Sequence, residues 1–346
     1  MKKLKVNVVS ESQYGWRAQG VYAVFQTTIR MLEATGEVDV RVNSFARCDI
    51  LHAHFPGPLY FALAPFYAGR RVMSAHVVPE SFHQSTTGWR QLDPLISRYI
   101  VHSFNTANLL IAVSPAVRAN LRSRGVRTPQ IVIPNPIDLS QFRPDPVLRA
   151  RGRAMLGIGP REKVVIGVGL ICLRKGFDEF LEVARRNPAL TFVWVGGSSF
   201  SILTDGYFKK QEWIAAAPKN ARFPGLLPIE RMPDAYNAAD LFFLPTRQDN
   251  HPMSVAEAAA CGVPIVLRDI PDFREIFGSA YLAAAGVEGF SDCIRKAMGD
   301  PALSASLRRD SLAMIRRYDA PVIAARLLEA YRQLRRRSRE RASRAS

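Results

Sequence analysis

Apolar, strand-like runs alternate with stretches of helical spacing along the whole chain. A first series reads KLKVNVVSE (3–11), DVRVNSF (39–45), DILHAHF (49–55), RRVMSAHVV (70–78), LLIAVS (109–114) and QIVIPN (130–135). Short apolar runs separated by helix-length segments predict parallel strands joined by crossover helices, the α/β class. A passage rich in Pro and Arg, RPDPVLRARGR (143–153), interrupts the pattern before a second series of KVVIGVGL, LTFVWVGG, NARFPG, DLFFLP and VPIVLRD. Between these strands DEFLEVARRNP (178–188) carries apolar residues at helical spacing and stops at Asn-Pro, as a helix end should. Residues 303–335 read as helices with no strand between them. The pattern predicts two α/β domains, 1–145 and 146–315, and a chain of 346 residues that is 48% hydrophobic is long enough to bury both cores.

In parallel sheets of this kind ligands bind beyond the C-terminal ends of the strands, so the turns there carry the candidate chemistry. Gly15 and Gly20 follow the first strand. They are either a plain strand-to-helix turn or bare backbone that approaches a phosphate or sugar. In GVGLICLRKGFDEF (167–180), Arg174 and Lys175 stand just before Gly176 and a helix. Two cations at a helix start suit a diphosphate, and the alternative is a solvated basic pair. The stretch PTRQDNHPMSVAEAAACGVPIV (245–266) places Asp249 in a loop, Pro252 at a helix start and Gly262 at its end. Glu257 lies among Val255, Ala256, Ala258, Ala259 and Ala260, so its carboxylate needs a buried partner. An acid on each side of a helix start can clamp the hydroxyls of a nucleotide sugar whose phosphates rest on the N–H groups of Met253 and Ser254.

Charge adds a second kind of partner. The formal net charge is +17, with seven arginines in 332–346 opposed only by Glu340, and such an excess implies a polyanionic ligand or surface. The basic end is a solvated terminus, a nucleic-acid contact or an anionic-lipid contact. No helix-turn-helix, zinc-finger or RNP pattern appears, and the basic residues are mostly not interleaved with aromatics, which argues against nucleic acid. Cys48, Cys172, Cys261 and Cys293 have no paired spacing, so a reducing cytoplasm, no disulfides and no zinc site are expected. No secretory signal is read at the N-terminus. The apolar stretch LYFALAPFYAG (59–69) is far shorter than the ~20 residues of a membrane span.

The Asp249-x7-Glu257 pair, the Arg174-Lys175-Gly176 turn, NAAD (237–240) and IPNPID (133–138) resemble the retaining GT-B glycosyltransferases of family 4. More narrowly, AQGVYAVFQ, HVVPESF, FVWVGGSSFSILTDGY, APKNARFPGLLPIERMPDAYNAADLFFLP and HPMSVAEA are similar to bacterial enzymes that glycosylate diacylglycerol lipids. Among these, the resemblance is nearest to the type that adds a second hexose to α-glucosyl diacylglycerol. It implies two Rossmann-like domains facing across a cleft, 1–145 binding the acceptor and 146–315 the nucleotide sugar. A helix over 316–334 would return to the N-terminal domain, followed by a basic tail, 335–346.

Position by position, the resemblance puts Asp249 at the first acid, where the family has Glu, in contact with the transferred sugar. Glu257 would hold the ribose and Lys175 the pyrophosphate. Leu170 stands where the family has an arginine, so that charge is assigned to Arg174. His76 matches the histidine near the reacting sugar, unless it is a satisfied sheet-end histidine, and His52 and His54 are read as structural. Gly225 and Leu227 match the base-binding turn.

No Asp-x-Asp occurs, so the cations and helix start are expected to stabilise a leaving nucleoside diphosphate without metal or other cofactor. The implied donors are UDP-glucose or UDP-galactose, and the implied acceptor is a membrane glycolipid. Arg70 and Arg71, together with Arg118, Arg122, Arg124 and Arg127, would contact an anionic leaflet from the cytoplasmic side, although the apolar 59–69 run can equally be core. Two alternatives stand: the same chemistry on a soluble or cell-wall acceptor, and a non-catalytic nucleotide-binding protein.

Overall fold

The computed structural model describes residues 3–14, 20–83, 89–197 and 207–345. The chain forms two compact units, one of Met1–Glu80, Gln91–Pro136 and Tyr318–Ser346, the other of Ser81–Arg90 and Ile137–Arg317. Each is built on a six-stranded sheet in which every neighbouring pair runs parallel.

In the first unit β1 (Leu4–Val9), β2 (Val38–Val42), β3 (Ile50–Ala53), β4 (Arg71–Ala75), β5 (Leu109–Ala112) and β6 (Gln130–Val132) take the order β2-β1-β3-β4-β5-β6. Val6, Val8, Ile50, Val72 and Ile111 are buried, as expected of strands whose two faces are both covered. A helix over Ala320–Ala345 completes this core with Ile323, Ala324, Leu327, Leu328, Tyr331 and Leu334, one stripe at helical spacing packed with Phe25 and Leu32. The same helix runs on without a break through the arginine-rich segment, so the expected C-terminal helix and basic tail are one element.

In the second unit β7 (Val164–Val168), β8 (Thr191–Val195), β9 (Ala221–Gly225), β10 (Leu241–Leu244), β11 (Ile265–Arg268) and β12 (Leu282–Ala284) take the order β12-β11-β10-β7-β8-β9. Its core is aromatic: Phe180 packs edge-on against Trp194 at 4.9 Å and Phe192 at 5.4 Å, and lies parallel to Phe243 at 5.7 Å. The unit begins at Ile137 rather than near 145, because Phe142 is buried against Tyr236. Asn237 also ties the strand-free passage down, accepting from Asp145 N–H at 2.9 Å and donating to Arg143 O at 3.0 Å. All four cysteines are free thiols. No helix among the described residues is long and apolar enough to cross a membrane.

Candidate active site

The C-terminal ends of β7 to β10 bring together most of the residues singled out in the second unit. After β7 a short turn, Leu173–Lys175, leads through Gly176 into the helix Phe177–Arg186. Gly176 has φ 73°, and a Cβ there would stand 2.3 Å from Pro245 O, so only glycine lets the loop leaving β10 lie on this turn. Arg247 N–H and Thr246 Oγ1 both donate to Arg174 O, at 2.7 and 3.0 Å, and Arg174 Nη1 donates to Gln248 O at 3.0 Å. Arg247 in turn grips the Asp178 carboxylate with two bonds of 2.9 Å.

This lacing sets Lys175 Nζ against Asp249 Oδ2, with side chains only 13% and 14% exposed. Burial pushes the Asp249 carboxyl up, but the charges of Lys175 and Arg174 and the Lys175 hydrogen bond outweigh it and hold the group below its ordinary range. Asp249 is therefore a carboxylate at neutral pH. Among the described residues no cluster of His, Cys, Asp and Glu is arranged to hold a metal ion.

Beyond the loop, the helix Met253–Ala260 begins behind Pro252. Its first intrahelical bonds run from Val255 N–H and Ala256 N–H to Pro252 O at 3.2 and 3.3 Å, so the N–H groups of Met253 and Ser254 precede them. Glu257, 7% exposed, accepts a 2.6 Å bond at Oε2 from the Tyr236 hydroxyl. Burial raises its pKa to about 7, against the opposing pull of that bond, and burial and the neighbouring carboxyl push the Tyr236 phenol well above its usual value. Tyr236 is the buried partner that Glu257 required, and nothing in the sequence points to it.

Gly225, with φ 80°, ends β9 facing open space, and its carbonyl accepts from Gly196 N–H at 2.9 Å. Leu227 beside it is half-buried. Asn250 and His251 were not singled out from the sequence, yet both are buried in the loop after β10. Asn250 Nδ2 donates to Ser81 Oγ at 3.0 Å, and burial lowers the His251 imidazole to about 4.

In the first unit His76 follows β4, and its Nε2 lies 3.0 Å from Nδ1 of His54, which follows β3. His52, on β3, has Tyr331 Oη at 2.6 Å from Nδ1 and Ser74 Oγ at 2.8 Å from Nε2. Gly20 opens the helix Gly20–Ala34, whereas Gly15 lies outside the described residues.

The basic residues divide. Arg70 donates to Cys48 O and Asp49 O and stands over the Tyr67 ring; Arg71 donates to Asn108 Oδ1; Arg124 pairs with Glu80. Arg118, Arg122 and Arg127 are exposed. In the 59–69 run Tyr60, Leu63, Ala64 and Tyr67 are buried, while Phe66 is 70% exposed.

Residues 15–141 match the family Glycosyltransferase Family 4, and residues 149–314 match Glycosyl transferases group 1. The chain is 32% identical to the alpha-galactosylglucosyldiacylglycerol synthase of Streptococcus pneumoniae over 92% of this chain and 86% of that one. It is 29% identical to the processive diacylglycerol alpha-glucosyltransferase of Acholeplasma laidlawii, over 79% of this chain and 81% of that one. Among solved structures, sucrose-phosphate synthase from Thermosynechococcus elongatus superposes with a TM-score of 0.78 at 19% identity, covering 96% of this chain and 99% of that one. An Anabaena protein in complex with UDP-glucose does so with a TM-score of 0.76 at 20% identity, covering 95% and 100%. At these identities the structural likeness is one of fold.

Proposed function

Because the chain belongs to the family 4 glycosyltransferases and shares their GT-B fold, we propose that it moves a hexose from UDP-glucose or UDP-galactose to a membrane glycolipid, with retention. The observation that carries the donor half is the Lys175–Asp249 pair beside the start of the Met253–Ala260 helix. A diphosphate seated on the Met253 and Ser254 N–H groups draws Lys175 and Arg174 to itself. Asp249 is thereby released to the hydroxyls of the transferred sugar. Glu257 accepts from the ribose, and the backbone at Gly225 and Leu227 borders the base.

In the reaction the bond from the anomeric carbon to the phosphate oxygen breaks as the acceptor oxygen attacks from the same side, and the acceptor's proton passes to the departing diphosphate oxygen. Asp249 orients the sugar and stabilises its oxocarbenium-like charge, while the two cations and the helix start neutralise the leaving group without a metal. The acceptor half rests on the diacylglycerol named in two relatives' activities and on the +17 charge, which suits the anionic inner face of a cell membrane.

The test is purified protein with each UDP-sugar and a panel of diacylglycerol, glucosyl-diacylglycerol and soluble sugar acceptors, with products resolved by mass spectrometry. A hexosyl-lipid product is expected, and transfer confined to soluble acceptors would overturn the lipid assignment. A second arm measures adsorption to liposomes. It should rise with anionic lipid content and fall between about 0.05 and 0.5 M salt, as the Debye length shrinks from roughly 14 to 4 Å. It should weaken when residues 335–346, six arginines and one glutamate, are deleted. Indifference of the full chain to anionic lipid favours the soluble-acceptor reading, for which the internal partners of Arg70, Arg71 and Arg124 already speak.

A further inference from the structure

The helix Trp89–Asn105 buries one stripe of its surface and leaves apolar side chains in water along the next. Ile100, Ser103 and Phe104 face the core of the first unit and are buried. Leu92, Leu95 and Tyr99, spaced three and four residues apart, form the neighbouring stripe and are 42, 68 and 44% exposed. A single exposed leucine is ordinary, whereas three large apolar side chains in one row mark a contact surface. Tyr99 extends the row sideways. Its hydroxyl donates to Pro56 O, and its ring lies 6.3 Å from that of the half-buried Phe61.

The surroundings of the row are basic. Arg98 and His102, on the same helix, are exposed beside Leu95. Because β3 to β6 are consecutive neighbours, right-handed crossovers set the helices between them side by side on one face of the sheet. The next helix, Pro115–Ser123, is accordingly tied to this one: Arg124 Nη1 donates to Ser97 Oγ at 3.4 Å, and Asn105 Nδ2 to Gly125 O at 3.2 Å. It buries Val117 and Leu121 and turns Arg118 and Arg122, four residues apart, outward. Residues 91–127 hold five arginines against one acid, Asp93, which is half-buried.

We propose that this face, the row Leu92, Leu95 and Tyr99 with Arg98, Arg118 and Arg122 around it, seats the chain on an anionic bilayer. The leucines enter the headgroup layer, and the guanidinium groups stay with the lipid phosphates above them. A second copy of the chain is the poorer occupant, because a symmetric contact would set these arginines against their own counterparts. In a parallel sheet a crossover helix starts at the C-terminal edge of the strands. Leu92 and Leu95, in its first two turns, therefore stand at the edge where β4 ends and ligands bind. The proposal rests on the lipid-acceptor reading above for its purpose: it names the surface that brings a membrane-borne acceptor to that edge, in place of Arg70 and Arg71, which are bonded within the unit.

The experiment measures adsorption of the full chain to vesicles of phosphatidylcholine with one third phosphatidylglycerol. The double variant Leu92→Ser, Leu95→Ser alters exposed positions, and a thermal melt checks that it folds. Its partition coefficient should fall roughly tenfold, by the same ratio at about 0.05 and about 0.5 M salt, because apolar contacts are not screened. The triple variant Arg98→Gln, Arg118→Gln, Arg122→Gln should lose up to about 100-fold at the lower salt and little at the higher. A probe that brightens out of water is attached at Leu95→Cys in a Cys293→Ser background, the other three native thiols being buried. It should brighten on vesicles, and the same probe at Val147→Cys, in the second unit and also 68% exposed, should not. Wild-type adsorption of the leucine variant, equal signals at the two probe sites, or indifference of the full chain to these vesicles overturns the proposal. So does a wild-type dimer, seen by light scattering, that the leucine variant splits, since the row then serves a second copy. Transfer to a detergent-solubilised glycolipid tests the acceptor reading separately and should be equal in the wild type and the leucine variant. Absence of a hexosyl-lipid product there, with adsorption intact, sinks that reading and leaves the docking face supported.

Discussion

Replacing Glu257 by glutamine should change the pH dependence of folding in a way that can be worked out in advance. In the folded chain the carboxyl holds its proton to about pH 7, against 4.5 for an exposed glutamate, because burial beside Tyr236 penalises its charge. The folded state thus binds the proton more tightly than the unfolded state. The resulting stabilisation is fully present below pH 4.5, fades as pH rises and is gone above about 7. A difference of about 2.5 in pKa, at about 1.36 kcal/mol each, makes the whole term about 3 kcal/mol. The Glu257→Gln side chain keeps the shape and an acceptor for the Tyr236 hydroxyl but cannot ionise. The variant should match the wild type near pH 4.5 and exceed its stability by about 2 kcal/mol at pH 6 and about 3 kcal/mol at pH 8. Thermal unfolding of both ligand-free proteins at half-unit steps from about pH 4.5 to 8 measures this, with a midpoint gap opening to on the order of 5–10 °C. A gap that stays constant over that range would refute a buried, protonated Glu257.

With its carboxylate serving the sugar and not the nucleotide, as proposed, Asp249→Ala should lower kcat on the order of 100-fold while the Kd for UDP, measured by calorimetry, changes far less. A wild-type kcat would remove Asp249 from the site. Gly176→Ala should destabilise the chain by about 2 kcal/mol or more in urea unfolding, from a forced positive φ and a methyl driven into Pro245 O; an unchanged midpoint would mean that the turn and loop do not lie as described. If Arg174, Lys175 and the Met253 helix start supply the neutralising charge, as proposed, transfer should persist in excess EDTA, and a strict requirement for Mg²⁺ or Mn²⁺ would displace them from that role.

Much of this was legible from local pattern alone. Among the described residues every strand lies within or beside one of the quoted runs except β12, whose alanine-rich AYLAAAG (280–286) holds no β-branched residue and reads as readily as helix. Glu257 could be marked as a carboxylate in want of a partner because its neighbours on the helix are apolar. Tyr236 could not be found, since the two meet only after the chain has folded back through β10. The same limit applies to charge. Arg70, Arg71 and Arg124 count as free cations in a sequence, but a guanidinium satisfied by Cys48 O, Asn108 or Glu80 has no local signature.

The helix Ala320–Ala345 has a consequence for how the protein is made. The first unit is closed by residues from both ends of the chain, so when β1 to β6 leave the ribosome their core still lacks Ile323, Leu327 and Tyr331. The intervening unit, a nearly continuous segment, can fold first. The early strands must wait with apolar surface uncovered until the Ala320–Ala345 helix has been made, a period in which a growing chain is most exposed to aggregation. Closing so long a loop costs little extra stability, since the entropy grows only logarithmically with length, but it makes the arrival of this late helix the event that completes the earliest part of the fold.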